Sequence, residues 1–319
     1  MSVPEWTADR EDVSTVHDRM APICPVCRSV AAYVRYRLPR YSIFHCVACT
    51  QTYLWPLPSP EDVRATFARL YASGECSVPE LRSYFALSYE DRPGNPLVEL
   101  YEHWLDLLET HHAPGRLLDI GCGTGLFLAV ARRRGWTPMG VDDCVEATRY
   151  AREHFGVDVG TGNFEELAAE GAARFDVITM WDVIEHARDP VELLAAVRRC
   201  LAPGGVVALS TPNQRNILDL VGGALYRLTG GAITAPLEKF YVPTHFAYFT
   251  PATLEQVLAR AGLQIVRIER ELTDLRRLTL AAPVRLALGG LFRVARWTGL
   301  ENRLLGVACP TDGIRHGTG

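Results

Sequence analysis

A glycine-rich loop between a strand pattern and a helix pattern limits most strongly how this chain can fold. The run Leu117-Leu-Asp-Ile-Gly-Cys-Gly-Thr-Gly-Leu-Phe-Leu128 places glycines at 121, 123 and 125. Glycine lets the backbone turn sharply and approach a ligand without an intervening Cβ. The free N–H groups of the following helix favour a ligand carboxylate or phosphate. The spacing is G-x-G-x-G, which differs from the G-x-G-x-x-G of dinucleotide sites.

Strand and helix patterns alternate from residue 116 onward, which predicts an α/β fold with a mostly parallel, doubly wound sheet. Asp142 ends the second strand, 23 residues after Asp119 near the end of the first. An acidic residue at the tip of the second strand can accept hydrogen bonds from both hydroxyls of a ribose. The alternative role for Asp142 is to cap the next helix.

Residues 116–270 resemble the class I S-adenosylmethionine-dependent methyltransferases. The glycine loop is followed, in the family order, by Gly140-Val-Asp142, by the run from Phe175 to His186 and by Leu201-Ala-Pro-Gly-Gly205. The resemblance implies a Rossmann-like sheet of seven strands whose final strand is antiparallel. It also implies that the cofactor is S-adenosylmethionine.

The resemblance assigns cofactor contacts to one set of residues: Asp119, Gly121, Cys122, Gly123, Gly125, Asp142, Asn163, Phe164, Trp181 and Asp182. By this analogy the glycine loop and Asp119 hold the methionine part, and Asp142 holds the ribose. Asn163 and Phe164 stand where family members often have Asp and a hydrophobic residue for the adenine. Asn can still accept a hydrogen bond there, but it brings no charge.

Histidines supply the candidate catalytic bases, because a base with a pKa near the working pH suits removal of a proton from an acceptor. His186 is the first candidate, with Glu185 beside it to orient or tune it, and His245 is the second. In the alternative reading, Glu185 and His186 only pack the loop. The run Asp182-Val-Ile-Glu-His186 also resembles the E-x-x-E-H run of quinone-biosynthesis O-methyltransferases, which implies a divalent metal at Asp182, Glu185 and His186.

Four of the nine cysteines form two C-x-x-C pairs separated by eighteen residues: Cys24, Cys27, Cys46 and Cys49. Two such pairs can complete a tetrahedral four-thiolate site, which zinc prefers, and the spacing is typical of a zinc ribbon. A closed site of this kind has a structural role. The alternatives are four reduced cysteines in a loop and a redox-active pair.

The patterns divide the chain into an ordered series of segments. We expect a flexible N-terminus (1–20), a zinc ribbon (21–56), a helical lid or linker (57–113), a methyltransferase domain (114–309) with insertions at 214–249 and 272–299, and a tail (310–319). Segment 272–299 alternates arginines with apolar residues. It is predicted to cover the last strands or to form a dimer contact, with membrane contact as the alternative.

Charge and composition favour a small acceptor over nucleic acid. The chain has 33 Lys and Arg against 37 Asp and Glu, a net charge of -4, which argues against a broadly basic RNA-binding surface. The start of the chain is polar and acidic and lacks the pattern of a signal peptide, so a cytoplasmic location is expected.

The sequence therefore predicts an S-adenosylmethionine-dependent methyltransferase acting on a sugar, a nucleotide sugar or a natural-product scaffold by O- or C-methylation. The ribbon and the segment around His245 extend the resemblance to bacterial sugar C-methyltransferases with an N-terminal zinc module, which are longer. The alternatives are an RNA methyltransferase that uses the ribbon to bind RNA, a quinone-type metal-assisted O-methyltransferase and an inactive scaffold of the same fold.

Overall fold

A computed structural model describes residues 22–74, 78–169 and 174–313. The predictions made for residues 1–20 and for most of the tail lie outside this part of the chain. The strands are β1 Ala32–Arg37, β2 Ser42–Cys46, β3 Thr52–Trp55, β4 Arg116–Ile120, β5 Thr137–Asp142, β6 Asp158–Thr161, β7 Phe175–Trp181, β8 Leu201–Pro212, β9 Ala247–Tyr248, β10 Leu263–Glu271 and β11 Arg303–Pro310.

The described α-helices alternate with these strands or join them. They are α1 Pro60–Ser73, α2 Arg82–Leu87, α3 Pro96–Glu109, α4 Leu126–Arg133, α5 Val145–Tyr150, α6 Phe164–Ala169, α7 Pro190–Cys200, α8 Ile217–Leu228, α9 Ala235–Phe240, α10 Pro251–Arg260 and α11 Ala282–Thr298. Local sequence sets several of their starts. Ser59 caps α1 and Asp189 caps α7, and each is followed by a proline whose missing N–H costs nothing at the first helical position.

The larger sheet has the strand order β10-β11-β8-β7-β4-β5-β6. Strands β4 to β8 pair in parallel, whereas β11 runs antiparallel to both β8 and β10. The predicted doubly wound α/β sheet of seven strands with an antiparallel final strand is therefore confirmed. Ligands of such sheets bind outside the carboxyl ends of the strands where the strand order reverses, here beside β4 and β7.

The smaller sheet joins the cysteine ribbon to the rest of the chain. Its order is β1-β2-β3-β9, so the ribbon's three strands are extended by a two-residue strand from the predicted insertion 214–249. In this pairing Thr52 lies opposite Tyr248, and Tyr53 lies opposite Ala247. The ribbon thus shares backbone hydrogen bonds with the segment that directly follows His245.

A buried carboxylate also ties the ribbon to α8. Asp219 accepts hydrogen bonds from Arg35 at 2.6 Å, from the Tyr36 hydroxyl at 3.1 Å, from the Tyr241 hydroxyl at 2.7 Å and from the Gln214 amide at 3.1 Å. Both carboxylate oxygens are used, which offsets the cost of removing the charge from water. The network therefore fixes α8 and α9 against the ribbon.

None of the described helices is both long and apolar enough to cross a bilayer.

Replacing Asp219 by Ala is expected to lower the free energy of unfolding by about 3 kcal/mol, because Arg35 and two tyrosines lose a shared buried partner. Urea titration of the full chain measures the change. Asp312→Ala is the control, since Asp312 is 68% exposed and its ion pair with Arg198 should contribute less than about 1 kcal/mol. Equal effects of the two substitutions would contradict the structural role of the network.

Candidate functional site

The glycine loop follows β4 and lies beside the end of β5, where the Gly121 amide donates to the Val141 carbonyl. Gly121, Gly123 and Gly125 have φ angles of +71°, +51° and +81°, in the left-handed region that side chains other than glycine rarely adopt. A Cβ added at Gly123 would lie 2.8 Å from the hydroxyl oxygen of Tyr71 on α1. Both the turn and the close approach of α1 therefore require glycine here.

Asp142 links this loop to the end of β5. Its two carboxylate oxygens accept hydrogen bonds from the Gly123 and Cys144 amides, each at 2.9 Å. Burial raises the pKa of Asp142 to about 6, although both amides act in the opposite direction. Each oxygen keeps a further lone pair. The carboxylate can therefore accept the two additional hydrogen bonds that a ribose would donate.

Asp119 lies behind the loop and is almost fully buried. Its Oδ1 accepts a hydrogen bond from the Thr179 hydroxyl at 2.7 Å. Burial raises the pKa of Asp119 to about 8, and the charge of Asp142 acts in the same direction. A cation bound near Asp119 and Asp142 would lower the pKa of both carboxylates.

The remaining predicted cofactor residues border the same space. Cys122 and Phe164 are buried beside it, and Asn163 lies at the start of α6. The Asn163 side-chain oxygen accepts a hydrogen bond from the Glu166 amide at 3.2 Å, so the oxygen predicted to face adenine also has a structural partner. Trp181 lines the space too, but its ring stacks on Trp104 with centroids 4.3 Å apart and belongs to the core.

Asp182 has a partner that the sequence did not reveal. Arg303 on β11 donates to Asp182 at 2.6 Å and to the Ser210 hydroxyl at 2.8 Å. Asp182 also has a φ angle of +58°, an uncommon backbone conformation for a residue other than glycine. The ion pair with Arg303 holds the Asp182 carboxylate at the end of β7, beside the space that the glycine loop borders.

The two candidate histidines lie side by side. The rings of His186 and His245 have centroids 4.7 Å apart at an interplanar angle of 79°. The Nδ1 atom of His186 is 2.7 Å from the Thr244 carbonyl oxygen. Because a carbonyl can only accept, Nδ1 carries the proton and Nε2 has the free lone pair. Burial lowers the pKa of both histidines, which favours their neutral forms.

Glu185 points into the protein next to this pair. Its Oε2 accepts from the Thr211 hydroxyl at 2.9 Å, while its buried Oε1 has no hydrogen-bond partner within the described residues. Burial raises the pKa of Glu185 to about 8, with Asp182 adding to the shift. Ligand atoms of Glu185, His186 and His245 lie within 4.8 Å of one another. The structure thus groups His245 with Glu185 and His186, whereas Asp182 of the predicted metal set is paired with Arg303.

A single cavity of about 1280 Å³ connects these groups. The glycine loop and Asp142 line one part of it, and His186 and His245 line another. Apolar residues from the two predicted insertions and from α1 complete the wall: Val63, Phe67, Leu218, Val221, Val284, Leu288, Leu291 and Phe292. The volume exceeds the 300–1,000 Å³ of ordinary ligand pockets, so two ligands can bind together.

The four ribbon cysteines are brought together by the β1–β2–β3 sheet and its turns. The Sγ atoms of Cys24 and Cys49, and those of Cys27 and Cys46, are 3.5 Å apart. All four Sγ atoms lie within 4.8 Å of one another. A tetrahedral zinc site with bonds of about 2.3 Å has sulfur–sulfur edges of about 3.8 Å. The arrangement fits such an ion with only small adjustments.

Sequence reasoning missed four contributors to the site and its surroundings. Arg303 is a cation within an apolar strand, and Asp219 is an acid within an apolar helix, so each carried a signal of a buried partner. Tyr71 covers Gly123, but its position on the apolar face of α1 indicated only packing. The Thr244 carbonyl that orients His186 carried no sequence signal.

The family model described as a methyltransferase domain matches residues 95–268. Ubiquinone biosynthesis O-methyltransferases are among the curated relatives. The protein of Caulobacter sp. (strain K31) is 35% identical over 158 residues, which cover 48% of this chain and 58% of that protein. That of Xanthomonas oryzae pv. oryzae (strain PXO99A) is 35% identical over 154 residues, covering 45% and 64%. The chain thus spans about three fifths of the length of these relatives.

Solved structures share the fold at low sequence identity. A chain of the complex between the Haloferax volcanii Trm112 methyltransferase activator and a methyltransferase matches with a TM-score of 0.51 and 16% identity, covering 76% of this chain and 97% of that one. The [4+2]-cyclase SpnF matches with a TM-score of 0.50 and 18% identity, covering 80% and 97%. The same fold thus carries proteins with differently named activities.

The family model covers more than half of the chain and includes the glycine loop, Asp142 and His186. This match confirms the resemblance identified from the sequence. The chain belongs to the methyltransferase domain family.

Proposed function

We propose that the protein transfers the methyl group of S-adenosylmethionine to a hydroxyl group of a small, mostly apolar acceptor. One observation carries the proposal: a single cavity joins the glycine loop and Asp142 to a histidine whose Nε2 is free to accept a proton. The family membership and the relatives named as O-methyltransferases support it. Because the chain spans only part of the length of those relatives, their names do not identify the acceptor of this chain.

In this proposal the loop end of the cavity binds the cofactor. Asp142 accepts from the ribose hydroxyls, Asp119 and the glycine loop face the methionine part, and Phe164 packs on the adenine. Loop amides and buried carboxylates suit a ligand that carries both a carboxylate and positive charge. Tyr71 and α1 cover the loop, which keeps water from the reacting sulfonium.

His186 is the proposed base. The Thr244 carbonyl orients its ring, and its Nε2 would take the proton of the acceptor hydroxyl as the oxygen attacks the methyl carbon in line with the departing sulfur. The lowered pKa keeps the imidazole neutral and ready to accept. His245 packs against the ring and restricts its orientation.

The lining of the acceptor end favours an apolar scaffold over a free sugar or nucleotide sugar. Residues from α8 and α11, including Val221, Leu288 and Phe292, supply this wall. A sugar needs many polar partners because each buried hydroxyl without a hydrogen bond is costly. Among the acceptors expected from the sequence, a phenolic or other natural-product scaffold therefore fits best.

A second candidate mechanism uses a divalent metal at Glu185, His186 and His245. Two observations favour it: their ligand atoms lie close together, and Glu185 Oε1 and His245 Nδ1 have no hydrogen-bond partner among the described residues. A metal bound there would act as a Lewis acid on the acceptor oxygen. Loss of turnover on treatment with a mild chelator, with recovery on adding Mg²⁺, which four thiolates bind poorly, would favour this route over the metal-free one.

We further propose that the cysteine cluster binds one structural zinc ion. Its four sulfur ligands would leave no coordination position open for catalysis. The short ribbon strands β1 to β3 would depend on the ion for their arrangement.

Cofactor binding is expected to release protons. Asp119, with a pKa of about 8, is mostly protonated at pH 7, and a bound cation lowers the pKa of both Asp119 and Asp142. The affinity should therefore rise from pH 6 to pH 8, by up to about tenfold per pH unit for each proton released. Calorimetry in two buffers of different ionisation enthalpy measures the release. Affinity that is flat or that rises on acidification would contradict the assignment, and Asp119→Asn should flatten the profile.

His186→Ala is expected to lower kcat by about 10²- to 10⁴-fold, the usual contribution of a general base, while cofactor affinity changes little. Transfer from radiolabelled cofactor to a panel of alkyl-substituted phenols and catechols provides the assay. His103→Ala is the matched control, because His103 is exposed on α3. Turnover close to wild type in His186→Ala would assign the base to His245 instead. Failure of every acceptor in the panel would contradict the proposed substrate class.

A further inference from the structure

We propose that the outer face of α11 docks on an anionic membrane surface. The outer face comprises Leu286, Arg293, Val294 and Trp297. The docking does not depend on the proposed catalytic function. The exposure of side chains, the geometry of the helix and its charge support the proposal.

Large apolar side chains on this face are unusually exposed. Trp297 is 90% exposed, Leu286 is 76% exposed and Val294 is 49% exposed. Leu286, Arg293 and Trp297 are separated by seven and four residues, which places them on one side of a helix. Water-facing sides of surface helices are normally polar, and clustered exposed apolar groups mark interaction sites.

The opposite side of α11 is also apolar. Leu288, Leu291 and Phe292 line the cavity, and Phe292 and Ala295 belong to a buried cluster with residues of α8. A helix that is apolar on both sides is normally buried in protein or in lipid. The seventeen residues of α11 instead lie at the surface, so one side remains for a partner.

Charge identifies the partner. Three arginines and no acidic residue occur in α11, within a chain of net charge -4. Arg285 donates to the Leu275 and Leu278 carbonyls, whereas Arg293 and Arg296 form no ion pair in the described part of the chain. Anionic headgroups complement these cations, and Trp and Leu insert favourably at the same depth.

A second copy of the same face is a poorer partner. A two-fold dimer places each surface patch against its own copy, so arginines would face arginines without an acid from either α11.

Docking on a membrane would also affect which acceptors reach the cavity. Val284 and Leu288 of α11 line it, so under the proposed function a docked enzyme would meet acceptors that carry an apolar tail.

Co-sedimentation of the full chain with vesicles tests the docking. We expect binding to phosphatidylcholine vesicles that contain phosphatidylglycerol, weakened by salt, and little binding to pure phosphatidylcholine. Arg293→Gln with Arg296→Gln should weaken binding about 25-fold, at roughly fivefold for each arginine near the surface. Leu286→Ser with Trp297→Ser should remove it. The changed side chains are exposed, so folding should be unaffected, and thermal unfolding checks this.

Two control variants test whether vesicle binding is specific to this face or is a general property of the protein surface. Arg149→Gln with Arg260→Gln removes the same charge from exposed positions elsewhere, and Val266→Ser changes an apolar residue that is 51% exposed on β10. Both should bind like wild type. Equal binding to neutral and anionic vesicles, equal losses in the control variants, or no vesicle binding with dimerisation that Trp297→Ser abolishes would each overturn the proposal.

Discussion

Backbone hydrogen bonds through Phe246 connect the cysteine ribbon to the loop that contains Glu185 and His186. The Phe246 amide donates to the Glu185 carbonyl at 2.7 Å, and the Phe246 carbonyl accepts from the Leu54 amide at 3.0 Å. The two residues before Phe246 contact His186: the Thr244 carbonyl orients its ring, and His245 packs against it. The position of both histidines therefore depends on the edge of the ribbon sheet, and through that sheet on the four cysteines.

The buried carboxylates in and near the cavity fall into two groups, those paired with an arginine and those without a cationic partner. Asp219 and Asp182 are paired with arginines, Arg35 and Arg303, so they hold elements together. Asp119 and Glu185 are buried without a cationic partner at hydrogen-bond distance in the described chain, and burial raises the pKa of both to about 8. Buried groups with such shifted pKa values are typical of ligand and catalytic sites. Asp119 and Glu185 therefore support the proposed cofactor and metal sites.

The sequence predicted features that depend on local pattern. The glycine loop, the strand–helix alternation and the spacing of the four cysteines each follow from neighbouring residues, and the fold class inferred from them is confirmed. The pairing of β3 with β9 could not be predicted, because it joins two residues to a strand nearly 200 positions earlier in the chain. The arginine partners of Asp219 and Asp182 lie 184 and 121 positions away, so the sequence showed charged residues without showing what neutralises them. His245 was predicted as the second candidate base, an alternative to His186, and only the folded chain groups it with Glu185 and His186.

Hydrogen exchange by mass spectrometry tests most directly whether the ribbon holds His186 and His245 in position. The wild-type chain supplied with zinc would be compared with Cys46→Ser, with Cys309→Ser as a control cysteine outside the cluster. The structural account predicts faster exchange in Cys46→Ser over residues 22–58, 184–187 and 242–249, with β4 and β5 still protected. Faster exchange confined to residues 22–58 would contradict the central claim, because the histidine pair would then keep its position without the ribbon.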